Sequence, residues 1–151
     1  FAYKHKMQLD LSIIDYTSPL YPKVLELRQA ILRAPLGLNL MDEDLDEDRD
    51  QYIVVGCNDD EVVACLMLKI ISTDTIKFRQ MAVSGPLQQH GFGSMLIHYA
   101  ENFCLLNEYT QIELHARKKA VPFYLKLDYK LIGEEFEEVG IPHYKMIKTL
   151  Q

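Results

Sequence analysis

The sequence predicts an α/β protein of the α+β type, with one domain built on a mixed sheet of about seven strands and helices on both faces. With 151 residues, 48% of them hydrophobic and 25% charged, residues 1–151 have the size and composition of a single globular domain. Segments of two-residue and helical period follow the order β-α-β-β-β-α-β-α-β-β. Because three strands follow one another without a helix between them, the sheet cannot be uniformly parallel.

The first strand and the first helix come before residue 40. Residues 7–14 alternate and then become apolar, which predicts the strand, whereas residues 1–6 are expected to be disordered or foreign to the domain. Ser18 is expected to cap the helix, with Pro19 in its first turn. The segment Pro35-Leu36-Gly37 is expected to end it.

An acidic stretch, residues 42–50, follows the first helix and contains seven Asp and Glu residues. One interpretation is a solvated loop whose like charges repel one another. The other is a loop that attracts cationic substrates towards a nearby cleft. Three strands come next, at residues 52–57, 62–71 and 75–83, and Asn58-Asp59-Asp60 is expected to join the first two as a hairpin.

The second half of the chain alternates between helices and strands. A helix is predicted from residue 93 to about 106, because its apolar residues share one face. Residues 112–117 alternate between apolar and polar side chains and predict a fifth strand. A short helix at residues 120–127 and two closing strands at 129–138 and 143–150 complete the chain.

Charge, hydropathy and cysteine content argue against several classes of protein. The net charge of −6 lacks the basic footprint of nucleic-acid-binding proteins. Apolar runs stay below the roughly 18 residues of a membrane span, and no signal-peptide pattern is present. Cys57, Cys65 and Cys104 lie in apolar stretches without ligand-like spacing, so we expect reduced core thiols and no metal site. These features predict a cytoplasmic protein.

The predicted fourth strand changes its apolar face midway. Ile76 and Phe78 share one face, whereas Met81 and Val83 have the opposite parity. A β-bulge keeps all four residues on the core side and leaves backbone amide and carbonyl groups unpaired for a ligand. The alternative is a strand whose end twists out of the sheet.

A glycine turn leads from this strand into the next helix and reads Gln88-Gln89-His90-Gly91-Phe92-Gly93-Ser94. Free N–H groups and partial positive charge at a helix start suit a phosphate, and glycines permit close approach of the backbone. The turn lacks the Walker lysine after Gly93 and the third glycine of the dinucleotide fingerprint, which would fall at Leu96. It matches the pattern Gln/Arg-x-x-Gly-x-Gly/Ala.

These segments resemble the GNAT superfamily of N-acetyltransferases, and the tail resembles the small bacterial ElaA/YjcF-like group of predicted acyltransferases. The resemblance covers most of the chain and implies a single-domain GNAT fold with a bulged fourth strand. It is carried by the glycine turn and by Phe78-Arg79-Gln80-Met81-Ala82-Val83, Ala120-Val121-Pro122-Phe123-Tyr124-Leu125-Lys126-Leu127-Asp128-Tyr129, Gly133-Glu134-Glu135-Phe136 and Gly140-Ile141-Pro142-His143-Tyr144-Lys145-Met146.

The resemblance implies acetyl-CoA as co-substrate, with no metal ion. In this family the pyrophosphate of coenzyme A rests on N–H groups of the turn, and the pantetheine arm pairs with the backbone of the bulged strand. The residues that the resemblance assigns to the cofactor are Met81, Ala82, Val83, Gln88, Gln89, His90, Gly91, Phe92, Gly93, Ser94, Arg117 and Phe123.

The resemblance also implies catalytic residues. Tyr124 aligns with the tyrosine that protonates the departing thiolate in many members, although it could instead be a packing aromatic. Attack by an amine also needs a general base, for which Glu113 and His143 are the candidates, with His115 a weaker one. Each of the three could equally be a surface or packing residue. The N–H of Val83 is the candidate donor to the oxyanion.

The chain departs from the family pattern at two positions. Arg117 stands where many members carry asparagine, so a cation here could serve a phosphate. Asp128 stands just before Tyr129, where the family has glycine, and is expected to adopt the left-handed conformation at some cost.

The sequence therefore predicts an acetyl-CoA-dependent N-acetyltransferase that acts by direct attack of a primary amine. The main alternative is a non-catalytic acyl-CoA-binding regulatory module. A protein-interaction domain without a cofactor would leave the bulge and the glycine turn unexplained. The acidic stretch suggests a cationic acceptor such as a polyamine, a lysine or an aminoglycoside. Pairing of exposed edge strands would give a homodimer.

Overall fold

The structure, a computed structural model, describes residues 8–151 and contains a seven-stranded sheet in the order β1-β2-β3-β4-β5-β7-β6. Residues 1–7, and with them the expectation for residues 1–6, lie outside this description. The strands are β1 (Asp10–Ile14), β2 (Gln51–Asn58), β3 (Glu61–Ile70), β4 (Thr75–Val83), β5 (Gln111–Arg117), β6 (Lys130–Glu138) and β7 (Ile141–Thr149). The helices are α1 (Tyr21–Arg28), α2 (Phe92–Leu106) and α3 (Val121–Lys126).

The sheet is mixed, as predicted. Strands β4 and β5 pair in parallel, and every other neighbouring pair is antiparallel. Helices α2 and α3 pack on one face of the sheet, where Leu96, Ile97 and Tyr124 join a core cluster with residues of β4 and β5. Helix α1 packs on the other face through Val24 and Leu27. The prediction of helices on both faces is confirmed.

The first helix begins two residues later than the sequence predicted. Its N-cap is Leu20, and Pro22 rather than Pro19 lies in its first turn. Ser18 forms a tight turn before the helix, where its Oγ accepts the N–H of Leu20 at 3.1 Å and its carbonyl accepts the N–H of Tyr21 at 3.0 Å. The predicted start was wrong because two closely spaced prolines both suit a helix start.

The helical path continues beyond α1 in two altered forms. Gln29–Arg33 is π-helical and Ala34–Leu36 is a 3-10 turn. Gly37 then ends the run in the left-handed conformation, with φ of 69°. The predicted end at Pro35-Leu36-Gly37 is confirmed. Among residues 8–151, no helix combines the length and the hydropathy needed to cross a bilayer.

One residue of the acidic stretch is buried rather than solvated. It contains the 3-10 turn Asp46–Asp50, and Asp48 within that turn is only 2% exposed. The carboxylate of Asp48 accepts hydrogen bonds from the Tyr21 hydroxyl and from Nη1 of Arg28, the latter at 2.8 Å. The interpretation as a solvated loop is therefore wrong for Asp48, whereas the other six acidic residues of the stretch are exposed, as it predicted.

Strand β4 contains the predicted bulge. Cys65 of β3 pairs with Ala82 and Met67 pairs with Arg79, so two residues of β4 stand opposite one residue of β3. Gln80, inside this bulge, has φ of 55°. A non-glycine residue in this region is strained, and such strain is common at functional sites.

The bulge shifts the face of β4 and precedes a gap in the sheet. Phe78 and Met81 pack against the same core cluster despite their opposite parity, which confirms the face change. Pairing between β4 and β5 ends at Phe78 and Leu114, although β5 continues to Arg117 along β7. Beyond this point β4 and β5 are not paired, and a gap opens between them.

The three cysteines are free thiols, as predicted. Cys65 and Cys104 are buried, and burial raises the pKa of each thiol to about 12. Cys57 is half-buried, and burial also raises its pKa. None of these thiols is a ready thiolate at neutral pH, because the thiolate is the form that burial disfavours.

Candidate active site

A cleft of about 670 Å³ occupies the gap between β4 and β5. This volume is typical of a small-molecule site. The cleft is lined from both faces of the sheet, which only the separation of the two strands allows. The α2 face contributes Phe78, Leu114, Ala116 and Tyr124, and the α1 face contributes Arg33, Lys77, Arg79, His115, Arg117, Glu138 and His143.

The glycine turn meets the cleft beside the bulged strand. Gly91 is the N-cap of α2, with φ of 81°, and no side chain within residues 8–151 caps this helix start. The N–H groups of the first turn therefore remain available to an anion. Gln88 lines the cleft and donates from Nε2 to the carbonyl of Val83 at 3.0 Å, which ties the turn to the end of β4.

Two glycines of the turn have different tasks. A Cβ at Gly91 would meet nothing within 4 Å, so this glycine is required by its backbone conformation. A Cβ at Gly93 would lie 3.3 Å from Cζ of Phe123 and 3.8 Å from Cε of Met81. Gly93 therefore allows the start of α2 to approach α3 and the bulge closely.

The remaining predicted cofactor residues lie at varied depths. Gln89 and His90 are exposed on the turn, and Gln89 has φ of 67°. Phe92 is buried and Ser94 is half-buried in the first turn of α2. The side chain of Ala82 packs with the cluster on the α1 face, so only its backbone can serve a ligand in the gap.

Tyr124 lies on α3 with 8% of its surface exposed, and it lines the cleft. Its ring packs edge-on against Phe123 at 4.9 Å and against Tyr129 at 5.7 Å between centroids. Burial raises the pKa of Tyr124 to about 12. The phenol is therefore protonated at neutral pH and can donate a hydrogen bond to a group in the cleft.

His143 is 4% exposed and lines the cleft from β7. Its Nδ1 lies 2.9 Å from the carbonyl oxygen of Ile141. Since a carbonyl can only accept, Nδ1 carries the proton, and Nε2 of the neutral ring keeps its lone pair. Nε2 lies 3.6 Å from Oε2 of Glu138, a carboxylate that can stabilise the protonated ring.

A match to a family model decides which family the chain represents. The model of the acetyltransferase (GNAT) domain matches residues 35–150. The chain belongs to the GNAT family. Its bulged strand, its glycine turn and the gap between β4 and β5 are thereby parts of a GNAT domain.

Two curated relatives match the chain over about half of each protein. The chain is 32% identical to "Uncharacterized protein YyaT" of Bacillus subtilis over 76 residues, which is 50% of the chain and 51% of that protein. It is 32% identical to "Uncharacterized N-acetyltransferase YjcF" of the same organism over 73 residues, or 48% of the chain and 52% of that protein. The chain spans about half the length of the curated relatives it matches.

Solved structures share the GNAT fold over nearly the whole chain. A putative N-acetyltransferase from Lactobacillus plantarum has a TM-score of 0.83 at 24% identity, and Escherichia coli ElaA has 0.82 at 21%; each covers 93% of this chain and 99% of the other. A GNAT acetyltransferase from Elizabethkingia anophelis with acetyl-CoA bound has 0.72 at 14%, covering 94% and 98%. These likenesses confirm the predicted fold.

Glu138 is a residue of this GNAT cleft that the sequence analysis missed. Besides its contact with His143, it accepts from Nδ1 of His115 at 3.0 Å. Burial raises the pKa of Glu138, but the hydrogen bond and charge of His115, with the charges of His143 and Lys77, lower it further, to below its usual value. The missed signal was the hairpin register, which places Glu138 at the β6–β7 turn.

Glu113, the other predicted base, is separated from the cleft. It lies on the half-buried face of β5 with His115, as the alternation predicted, but it does not line the cleft. Its Oε2 lies 3.4 Å from Nζ of Lys145 on the neighbouring strand. The structure thus brings His143, and not Glu113, to the same cleft as Tyr124.

The charge of the cleft differs from that of the whole chain. Its lining contains five Lys and Arg side chains against three Glu side chains, in a chain of net charge −6. Two of the three come from the acidic stretch and are already paired, Glu43 with Arg33 at 2.6 Å and Glu47 with Lys69 at 2.7 Å. The acidic stretch therefore does not present free carboxylates to a cationic acceptor at these positions.

Proposed function

We propose that the protein transfers an acetyl group from acetyl-CoA to a primary amine by direct attack. The observation that carries this proposal is the gap between β4 and β5, where Tyr124 and His143 line one cleft beside the bulge and the glycine turn. Membership of the GNAT family supports acyl transfer from coenzyme A. The acetyl-CoA bound to the Elizabethkingia relative supports the choice of cofactor.

The residues of the turn fit the diphosphate of coenzyme A. We assign it to the N–H groups of residues 89–94, which lie at the uncapped start of α2. We assign the pantetheine arm to the backbone of Met81, Ala82 and Val83, at the bulge that faces the gap. Gly93 lies close to Phe123 of α3 and to Met81 of this strand, which places the turn against both.

Tyr124 is proposed as the general acid. Acetyl-CoA, when bound, supplies a thioester whose sulfur must leave as a thiol. The phenol of Tyr124 holds a proton throughout the neutral range and lines the cleft from α3. It can therefore donate this proton to the sulfur as the C–S bond breaks, and a proton released by the attacking amine restores the phenol. The N–H of Val83 is proposed to donate a hydrogen bond to the carbonyl oxygen during attack.

His143 is proposed as the general base. An ammonium acceptor has no lone pair and must lose a proton before it attacks, and the lone pair on Nε2 of His143 can receive that proton. Glu138 then stabilises the imidazolium across 3.6 Å. We prefer His143 to Glu113, because of these two residues only His143 lines the cleft.

Calorimetric titration with acetyl-CoA tests the cofactor site. Gly91→Asp places a negative charge at the turn and should abolish binding. Gly37→Asp is a matched control, because Gly37 also has positive φ and open space for a Cβ, and it should leave binding intact. Equal affinity in the two variants would place the cofactor elsewhere.

Release of free thiol over a panel of amines tests transfer. Amine-dependent release supports the proposed function. Binding of acetyl-CoA without release for any amine would instead favour the non-catalytic acyl-CoA-binding regulatory module.

We further propose a cytoplasmic homodimer. The outer strand β6 carries exposed Leu131 and Ile132 along one edge of the sheet, and such an edge can pair with a second copy. Light scattering of the purified chain tests this state. A monomeric mass at high concentration would contradict it.

A further inference from the structure

Two guanidinium groups converge on one carbonyl oxygen at the wall of the cleft. Nη1 of Arg33 donates to the carbonyl of Leu32 at 3.1 Å, and Nη2 of Arg117 donates to the same oxygen at 3.2 Å. Both arginines line the cleft. Two like charges therefore lie close together at this carbonyl.

One carboxylate serves this pair. Glu43 contacts Arg33 in a bidentate manner, at 2.6 Å to Nε and 3.1 Å to Nη2. Within residues 8–151, no carboxylate lies within 4.0 Å of the Arg117 guanidinium. The pair therefore has one positive charge more than it has neighbouring negative charge.

Burial of the two arginines makes their unbalanced positive charge energetically unfavourable. Arg33 is only 4% exposed, and Arg117 is half-buried. Burial, followed by the charge of Arg33, lowers the pKa of Arg117. An anion that entered the cleft would relieve this repulsion and could bind the planar guanidinium through two parallel hydrogen bonds.

Position separates this pair from the assigned phosphate site. Leu32 and Arg33 follow α1, which packs on the face of the sheet opposite to α2 and its glycine turn. Arg117 of β5 is the direct cross-strand partner of His143 on β7. Directly opposed residues have Cβ atoms about 5 Å apart, so the side chains of Arg117 and His143 start from adjacent positions, and both line the cleft.

From this arrangement we propose that the acceptor is an amine that carries an anionic group, a carboxylate or a phosphate, close to its amino group. Arg117, supported by Arg33, binds the anionic group while His143 receives the proton of the amine. The inference rests on the proposed function. It replaces the cationic acceptor that the acidic stretch suggested: polyamines and aminoglycosides lack the required anion, whereas an amino acid has it.

Paired acceptors test this class directly. Two pairs test a carboxylate: histidine with histamine, and phenylalanine with phenethylamine. The third pair, phosphoethanolamine with ethanolamine, tests a phosphate. We expect kcat/KM to be at least about tenfold higher for the anionic member of at least one pair, equivalent to about 1.4 kcal/mol. Equal rates within all three pairs, or faster transfer to the members that lack the anionic group, would overturn the proposal.

Two variants assign the effect to Arg117. Arg117→Gln should raise KM for the anionic member about tenfold and leave KM for acetyl-CoA unchanged. Lys119→Gln removes the same charge from an exposed neighbouring position and should keep the wild-type preference. If Arg117→Gln instead raised KM for acetyl-CoA and kept the preference between acceptors, Arg117 would serve the cofactor and the proposal would be wrong.

An equilibrium measurement separates this inference from the proposed function. Inorganic phosphate, added at constant ionic strength to protein saturated with acetyl-CoA, should raise Tm of the wild type and of Lys119→Gln but not of Arg117→Gln. Phosphate stabilisation that depends on Arg117, without thiol release for any acceptor, would support the anion site and contradict acetyl transfer. The same Tm response in all three proteins would overturn the anion site.

Discussion

At the scale of single residues, the hydroxyl of Tyr124 is the group whose removal is most informative. Phenylalanine keeps the ring contacts with Phe123 and Tyr129 and removes only the proton donor. We expect Tyr124→Phe to lower kcat about 100-fold while the Kd for acetyl-CoA changes little. Thiol release and calorimetry measure the two quantities. Tyr16→Phe, at an exposed position, is the control, and an unchanged kcat in Tyr124→Phe would remove the hydroxyl from the mechanism.

The two candidate bases, His143 and Glu113, can be compared by replacing each with glutamine. His143→Gln removes the lone pair that faces the cleft, and we expect kcat/KM to fall about 100-fold. Glu113→Gln alters only the contact with Lys145 outside the cleft, so kcat/KM should change little. Steady-state kinetics of both variants decide between them. The reverse order of effects would restore Glu113 as the base.

Tyr124 also makes stability depend on alkaline pH. Its pKa is about 12 in the folded chain and about 10 when unfolded, so its contribution is fully present below pH 10 and is lost as pH rises through 12. This difference in pKa corresponds to about 3 kcal/mol of stability. Urea unfolding should show the wild type losing stability relative to Tyr124→Phe between pH 10 and 12. Parallel curves for the two proteins would contradict this.

At the scale of elements, the end of α3 holds Tyr124 in place. The N–H of Tyr129 donates to the carbonyl of Tyr124 at 3.1 Å, and that of Asp128 donates to Leu125 at 3.1 Å, a Schellman arrangement. Asp128 has φ of 70°, which confirms the left-handed conformation expected from the missing glycine.

Asp128 is therefore a site where glycine should stabilise the fold. Asp128→Gly relieves the left-handed conformation, and we expect the free energy of unfolding to rise by about 1 kcal/mol. Asp128→Ala keeps the Cβ and should give no gain. Chemical denaturation of both variants measures the difference. A gain in the alanine variant as large as in glycine would show that the charge of Asp128, and not its conformation, is unfavourable.

At the scale of the whole molecule, one buried ion pair fastens the segment between α1 and β2. Arg28 and Asp48 are in contact at 2.8 Å with side chains about 3% exposed, and Tyr21 donates to the same carboxylate. This contact holds the residues that carry Arg33 and Glu43 along the cleft.

Breaking that pair should destabilise the protein strongly. Asp48→Ala leaves the Arg28 cation buried without its partner, and we expect the free energy of unfolding to fall by about 3–5 kcal/mol. The double variant Arg28→Met/Asp48→Leu replaces both charges with apolar groups and should lose less. Urea denaturation compares them. A double variant less stable than Asp48→Ala would show that the pair is worth more than its apolar replacement.

Local patterns were sufficient for most of the fold. The parity change at Phe78 and Met81 predicted the bulge, because side chains alternate strictly along a strand. The glycine turn was also predicted from consecutive residues. Glu138 and the pair of Arg33 and Arg117 could not be predicted, because their contacts join segments that the strand register brings together over long sequence distances.

The burial of one residue in the acidic stretch also depends on contacts between distant segments. Its composition predicts exposure, but Asp48 is buried by partners 20 and 27 residues earlier in the chain. The composition of a charged segment does not show which distant residues will contact it. Whether each charge is solvated depends on cations that the fold places beside it.

The opening between β4 and β5 also constrains the order of events. A thioester laid along the unpaired stretch of β4 would itself form one side of the chamber in which the amine must sit. We therefore expect a compulsory sequence, in which the acyl donor loads first and the acceptor follows. Without the bound thioester, the site for the acceptor would lack one wall, so the acceptor should bind weakly to the protein alone.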